Sequence, residues 1–308
     1  MRSTTYVGVD VGGTKVLAAA IDEEGGLVAT ATTPMPGRDV PGDEVERALC
    51  AAIGEAAGGV SPAAVGIAAA GLVDAEGERV RFAAHLPWRD VPVRRHLADR
   101  LGVPTVLDND ANCAAYAELV MGAARGAGDA ILITIGTGIG GALILGGRLY
   151  RGSQGMAGEF GHMQVVPDGL RCECGLKGCW EQYCSGRALE RVVRVAVGRH
   201  LDGREVARMA RSGDATARQA IATVGTWLGV GAAGLVSAFD PELVVVGGGV
   251  ADVGDLLLDP ARDALLDSLQ GTDRRVVPAL VPAQLGAQAG AVGAALLARD
   301  TLQTGRRP

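Results

Sequence analysis

A chain of 308 residues with 47 glycines and a formal net charge of −6 is long enough for two domains and a well-buried core. Its acidity excludes a nucleic-acid-binding surface, which wants a basic face. No signal-peptide pattern precedes Tyr6, and glycines and charges interrupt every apolar run of membrane length, so a cytoplasmic protein with no membrane partner is expected.

Three β-rich runs come first, at Tyr6–Asp10, Lys15–Ile21 and Leu27–Thr33, and the Gly12-Gly13 and Gly25-Gly26 turns between them read as hairpins. A helix is predicted over Asp43–Ala57, with Asp43 as N-cap and Gly58-Gly59 as the stop. Val65–Ala70 reads as a buried strand, and Asp90–Leu101 as a helix begun by Asp90 and ended by Gly102. Thr105–Leu107 is a strand running into Asp108-Asn109-Asp110, with a helix over Ala111–Ala124. The pattern then restarts: strand Ala130–Ile135, glycine turn Gly136–Gly141, strand Ala142–Leu145, and Gly146-Gly147 closing it. Helices follow at Ala188–Val197, Arg204–Arg211 and Ala215–Ala238, then a buried strand Leu243–Val246 stopping at Gly247-Gly248-Gly249. A helix, a strand near Val276–Val281 and a last helix at Ala289–Arg299 finish the chain. Two successive hairpin-then-α/β blocks predict an α/β fold of two lobes with a cleft between them. The expected boundary lies near Asn112: a small lobe over 1–112, completed by the C-terminal helix (293–308), and a large lobe over 113–292.

Two turns carry phosphate chemistry. Asp10-Val11-Gly12-Gly13-Thr14-Lys15 and Ile135-Gly136-Thr137-Gly138-Ile139-Gly140-Gly141 each lie between strands and offer consecutive N–H groups with a threonine hydroxyl. Neither is a Walker loop, and the second fails as a dinucleotide fingerprint because a strand, not a helix, follows it. Asp10 is placed to meet a nucleotide's Mg²⁺ and Lys15 a phosphate, while Gly248-Gly249 suits backbone passing close to a flat base or sugar. Asp108-Asn109-Asp110-Ala111-Asn112 stands where a strand gives way to a helix, and its four polar residues exceed what capping needs. A carboxylate there can accept a proton from an attacking hydroxyl. Farther on, Cys172, Cys174 and Cys179 with His162 make a tetrahedral sulfur and nitrogen ligand set for zinc. Gly175 and Gly178 allow the sharp bend, and a cytosolic setting disfavours a disulfide. Cys50, Cys113 and Cys184 read as structural.

These motifs, in order and together with Gly158-Glu159-Phe160-Gly161-His162 and Cys172–Glu181, resemble the series of the ROK family (repressors, open reading frames, sugar kinases), most nearly its glucokinases from high-GC Gram-positive bacteria. The resemblance covers essentially the whole chain. It implies an actin-like, ribonuclease-H-like ATPase fold and transfer of the ATP γ-phosphoryl group to a sugar hydroxyl, O6 of glucose in those glucokinases. By motif position Asp110 is the base. Asn109, Asp110, Glu159, His162 and Glu181 bind sugar hydroxyls, Gly71 closes the pocket by its backbone, and His162, Cys172, Cys174 and Cys179 hold a structural zinc. Asp10, Gly12, Gly13, Thr14, Lys15, Gly136, Thr137, Gly138, Gly248 and Gly249 are the residues expected to hold ATP and its Mg²⁺. The expected assembly is a homo-oligomer, dimer or tetramer. Ala84-His85-Leu86-Pro87-Trp88, Cys113 and Tyr116 depart from the family pattern and bear on sugar choice, so mannose, fructose, allose and N-acetylmannosamine stand as alternative acceptors and polyphosphate as an alternative donor. A sugar-sensing regulator without catalysis is the other class of reading. It is disfavoured because the first strand starts by Tyr6, which leaves no room for a helix-turn-helix before it.

Overall fold

The computed structural model describes residues 4–308. Strands β1 (Tyr6–Val11), β2 (Lys15–Ile21) and β3 (Leu27–Pro34) form the predicted meander. After it come α1 (Gly42–Ala56), β4 (Ala64–Ala69), β5 (Leu72–Val73), β6 (Val80–Phe82), β7 (Arg89–Val91), α2 (Val93–Leu101), β8 (Thr105–Asn109) and α3 (Asp110–Met121). Next are β9 (Ala130–Ile135), β10 (Ile139–Leu145), β11 (Arg148–Tyr150), α4 (Gly186–Val197), α5 (Gly203–Arg211) and α6 (Ala215–Phe239). The chain finishes with β12 (Leu243–Gly247), α7 (Asp255–Ser268), β13 (Ala279–Pro282) and α8 (Ala289–Thr304). The two large sheets run β3-β2-β1-β4-β8 and β11-β10-β9-β12-β13. Each continues an antiparallel hairpin with parallel strands, so the duplication lies in the strand order itself.

Three local expectations are corrected and one small sheet is new. Helix α1 starts at Gly42 behind Pro41 with no side-chain cap, and Asp43 sits inside the first turn paired with Arg47. Helix α2 starts only at Val93, because Asp90 belongs to β7 at φ 55° with Arg79 and Arg81 on its carboxylate at 3.0 and 2.9 Å. Pro92 is the N-cap, and no side chain caps the helix there. Strand β10 begins at Ile139 rather than Ala142, which shortens the glycine turn before it. The small β5-β6-β7 sheet has strands too short for alternation to reveal.

By contact density the chain forms two compact units. One gathers the chain up to Gly126, Ala142–Ala157 and Gln284–Pro308; the other gathers Ala127–Gly141 and Gly158–Ala283. The changeover thus follows α3 instead of falling near Asn112, since α3 packs on α8 and β4. Chain-order reasoning also missed that the 142–157 hairpin joins the first unit.

In the first unit α8 lies directly on the sheet at positions that only glycine permits. A Cβ on Gly8 would fall 1.9 Å from Ala291 O, one on Gly66 1.8 Å from Ala294 O, and one on Gly293 1.7 Å from Cys113 O of α3. Backbone atoms cannot swing aside, so these approaches fix α8 against β1, β4 and α3. In the second unit α6 is long and apolar enough to cross a membrane by length and composition. It packs as a core helix instead, with Gly225 against Leu257 O and Gly229 against Ala261 O of α7 (2.4 and 2.2 Å to the missing Cβ). Replacing Gly66 by Ala is expected to destabilise the fold by ~3 kcal/mol or more, the upper range for overpacking, because the clash is with backbone. A urea denaturation midpoint near wild type would contradict this close-packing account.

Candidate active site

On the first unit, β1 delivers Asp10 at its C-terminal end, paired with Leu17 on one side and Ala68 on the other. The chain turns tightly there, with Gly12 N donating to Lys15 O at 3.1 Å. Gly13 has no room for a side chain: its Cβ would lie 2.9 Å from His85 Cβ. Thr14 and Lys15 are exposed. His85, in the Ala84–Trp88 stretch that departs from the family pattern, therefore packs against the first phosphate-type turn.

The β8–α3 junction explains why Asn109 and Asp110 stand where they do. Asn109 is the N-cap of α3; its Oδ1 accepts from Ala111 N (2.9 Å) and Asn112 N (3.2 Å), while Nδ2 donates to Gly71 O at 3.1 Å. That bond uses the Gly71 backbone, and a Cβ on Gly71 would lie 2.4 Å from Phe82 O. Asp110 opens the helix and accepts from Ala111 N at 2.9 Å. Protein crowds it on most sides, and this loss of water raises its pKa to about 6 against the pull of its hydrogen bonds. Asp10 rises further, to about 7, through desolvation first and the Asp110 charge second, with Lys15 opposing. Two neighbouring carboxylates that both resist ionisation make a site short of positive charge, which fits a divalent cation arriving with a nucleotide.

On the second unit, Gly136 N donates to Gly138 O (3.0 Å) and Gly136 O accepts from Gly186 N (2.8 Å), which fixes the turn before β10. Gly248 (φ 86°) presses on Ile135, whose O would lie 2.5 Å from an added Cβ. Gly138 likewise meets Glu181 Oε2 at 2.5 Å from its missing Cβ. Glu181 and the glycine turn, expected at different parts of the ligands, are thus neighbours. Glu159 precedes the short 3₁₀ turn Phe160–His162 and bonds His162 N through its carbonyl at 3.2 Å.

His162, Cys172, Cys174 and Cys179 place one donor atom each within 4.8 Å of all the others. Cys174 Sγ to Cys179 Sγ is 3.6 Å and Cys172 Sγ to His162 Nδ1 is 3.7 Å. A tetrahedral ion with ~2.3 Å bonds to sulfur separates its sulfurs by about 3.8 Å, so the donor set fits zinc. All six cysteines are free thiols. Burial, with the nearby Glu181 carboxylate adding to it, pushes the Cys172 thiol up to about 12, and a bound cation reverses that preference. Nδ1 of His162 faces the thiol, leaving Nε2 for another partner. Behind the segment, Trp180 is fully buried, donates from Nε1 to Trp227 O at 2.7 Å and fills the space that Gly231 leaves on α6.

What sequence reasoning missed is the set of partners of Asp108, which it read only as one of the polar residues at the strand–helix junction. It is buried, and Arg151 Nε reaches its Oδ2 at 2.8 Å. The lone arginine after β11 carried no motif to reveal it.

The ROK family profile matches residues 6–301. Glucokinase of Streptomyces coelicolor is 42% identical over 311 residues, spanning 96% of this chain and 97% of that protein. The crystal structure of a ROK family glucokinase from Streptomyces griseus in complex with glucose and AMPPNP superposes with a TM-score of 0.89 at 43% identity, covering 96% of this chain and 99% of that one. A ROK hexokinase from Thermus thermophilus follows at TM-score 0.80 and 39% identity, over 97% and 99%. The doubled sheet is accordingly the actin-like ATPase fold of these sugar kinases, and the chain belongs to the ROK family.

Proposed function

We infer that this protein is an ATP-dependent glucokinase that transfers the γ-phosphoryl group of ATP to O6 of glucose, with Asp110 as general base. The observation that carries the base assignment is the Asp110 carboxylate at the first residue of α3, beside an Asn109 whose amide is tied to Gly71 O. Near-full-length likeness to glucokinases of two Streptomyces species supports the reaction and the donor. As O6 forms its bond to the γ-phosphorus, its proton passes to an Asp110 carboxylate oxygen. The bond to the bridging oxygen breaks, and ADP leaves with that electron pair. Mg²⁺ bound with the nucleotide supplies charge neutralisation, and Asp10 is the carboxylate assigned to it. The turns at Gly12–Lys15 and Gly136–Gly138 are assigned to the phosphates, and Gly248-Gly249 to the nucleotide's base or sugar. Glu159, His162 and Glu181 are assigned to glucose hydroxyls, with zinc aiming His162 and Glu181 and taking no part in the chemistry. A cytoplasmic location and a homo-oligomeric state belong to the same proposal.

A coupled assay across hexoses tests the reaction: glucose is expected to be the preferred acceptor with Mg-ATP, and no phosphorylation of glucose would end the reading. Asp110→Asn is expected to lower kcat by ~10²- to 10⁴-fold, the usual share of general-base help, with a smaller change in KM. Only the ionised carboxylate accepts a proton, and its folded-state pKa lies above the ordinary value, at about 6. Activity should therefore be lost as pH falls through that value and level off above it. The limb should vanish from the residual rate of Asp110→Asn; an identical limb there would assign it to another group. Removing zinc by chelation, or replacing Cys174 by Ser, should raise KM for glucose and lower the thermal midpoint. A metal-free preparation with full activity and unchanged melting would sink the zinc assignment.

A further inference from the structure

We propose that Arg307, acting with Arg151, is a positioning residue for phosphoryl transfer: the two guanidiniums hold Asp108, and Asp108 holds the strand end and helix start that present Asn109 and Asp110. This rests on the assignment of Asp110 as the base.

Asp108 is the most enclosed acid at the junction, its side chain 2% exposed. Its Oδ1 accepts from the Asn109 amide N–H (2.9 Å) and from Asn112 Nδ2 (3.0 Å). Its Oδ2 accepts from Arg151 Nε (2.8 Å) and lies 3.3 Å from Arg307 Nη2. One carboxylate thus joins the residue before Asp110 and the residue two after it to a pair of cations from distant parts of the chain. A buried carboxylate without counter-charge is strongly unfavourable, so the position of Asp108 follows the guanidiniums. Fork-shaped donors fix direction as well as distance.

Arg307 sits in a socket built for it. Gly77, at φ 68°, leaves the space: a Cβ there would fall 1.8 Å from Arg307 Nη1 and 2.8 Å from Leu107 O. The side chain is 16% exposed; burial lowers its pKa, and the negative charge of Asp108 works against that shift. Arg151 also donates from Nη1 to Pro308 O at 2.6 Å, which ties the segment after α8 to the same cluster. Nothing in simple docking of that segment requires it to end on the acid two residues before Asp110. With one guanidinium removed, the other still balances Asp108, so the fold persists while the helix start is less firmly aimed.

The test is steady-state kinetics on the full chain for Arg307→Ala and Arg307→Lys, with Asp110→Asn in parallel. In Arg307→Ala, kcat should fall about tenfold or more, as small misplacements of a reacting group do, while KM for ATP stays within about twofold. Arg307→Lys should recover part of the loss. Added guanidinium ion, at millimolar concentrations far below denaturing ones, should restore kcat to Arg307→Ala and leave Asp110→Asn unaffected. If Arg307→Ala does not fold, Arg307→Gln is measured against the same expectations. A wild-type kcat in the neutral variant, with only the thermal midpoint lowered, would overturn the positioning role and leave a structural one. A crippled Asp110→Asn beside a normal Arg307→Ala defeats this proposal alone, whereas a normal Asp110→Asn defeats the base assignment beneath it.

Discussion

The direct backbone contact of α8 with the first sheet is the constraint on which the unit carrying Asp10 and Asp110 depends. At Gly8, Gly66 and Gly293 no side chain stands between α8 and its neighbours β1, β4 and α3. β1 carries Asp10 at its end, β4 is the parallel neighbour of both β1 and β8, and α3 begins with Asp110. Gly290, in the first turn of α8, faces Asp10 itself, with Oδ2 only 2.8 Å from where a Cβ would be. Interiors packed at crystal-like density transmit position rather than absorb it. A helix seated on backbone therefore fixes the strand ends that bear the two carboxylates.

Three aspartates at those ends are treated in opposite ways. Asp108 receives two guanidiniums and two further donors. Asp10 and Asp110 are deprived of water, Asp10 also meets the charge of Asp110, and both are driven toward neutrality. A structural carboxylate has to be satisfied by the protein, whereas one that is to take up a proton or meet a cation must be left wanting. The same residue type is thus satisfied by donors at Asp108 and left desolvated at Asp110, and the groups around it decide which.

The cysteine segment applies similar logic on the second unit. Its four donors fit a closed tetrahedral site, which has no open position for activating water. Trp180 anchors it to α6, and Glu181, the next residue, reaches the turn at Gly138. The donor set ends one residue before that anchored indole, so Glu181 follows directly on a fixed point of the second unit.

Much of this was legible in the sequence, because the signals were local. Lys15–Ile21 and Ala130–Ile135 appear as strands with the predicted bounds, since apolar β-rich runs flanked by glycines have few alternatives. The zinc set was readable because its ligands crowd one short stretch, and Asn109-Asp110 because they exceed what a cap requires. Asp43 and Asp90 do not cap their helices, because Pro41 and Pro92 occupy the N-cap positions and arginines take both carboxylates. No local pattern marks Gly66 as a seat for α8, Arg307 as the partner of Asp108, or Glu181 as the neighbour of Gly138. The sequence by itself determined the residue chemistry, the duplicated strand order and the family pattern, all carried by short-range spacing. Only the tertiary structure decided which carboxylates are paired with cations and which are left desolvated, because that depends on donors and desolvation contributed by distant segments.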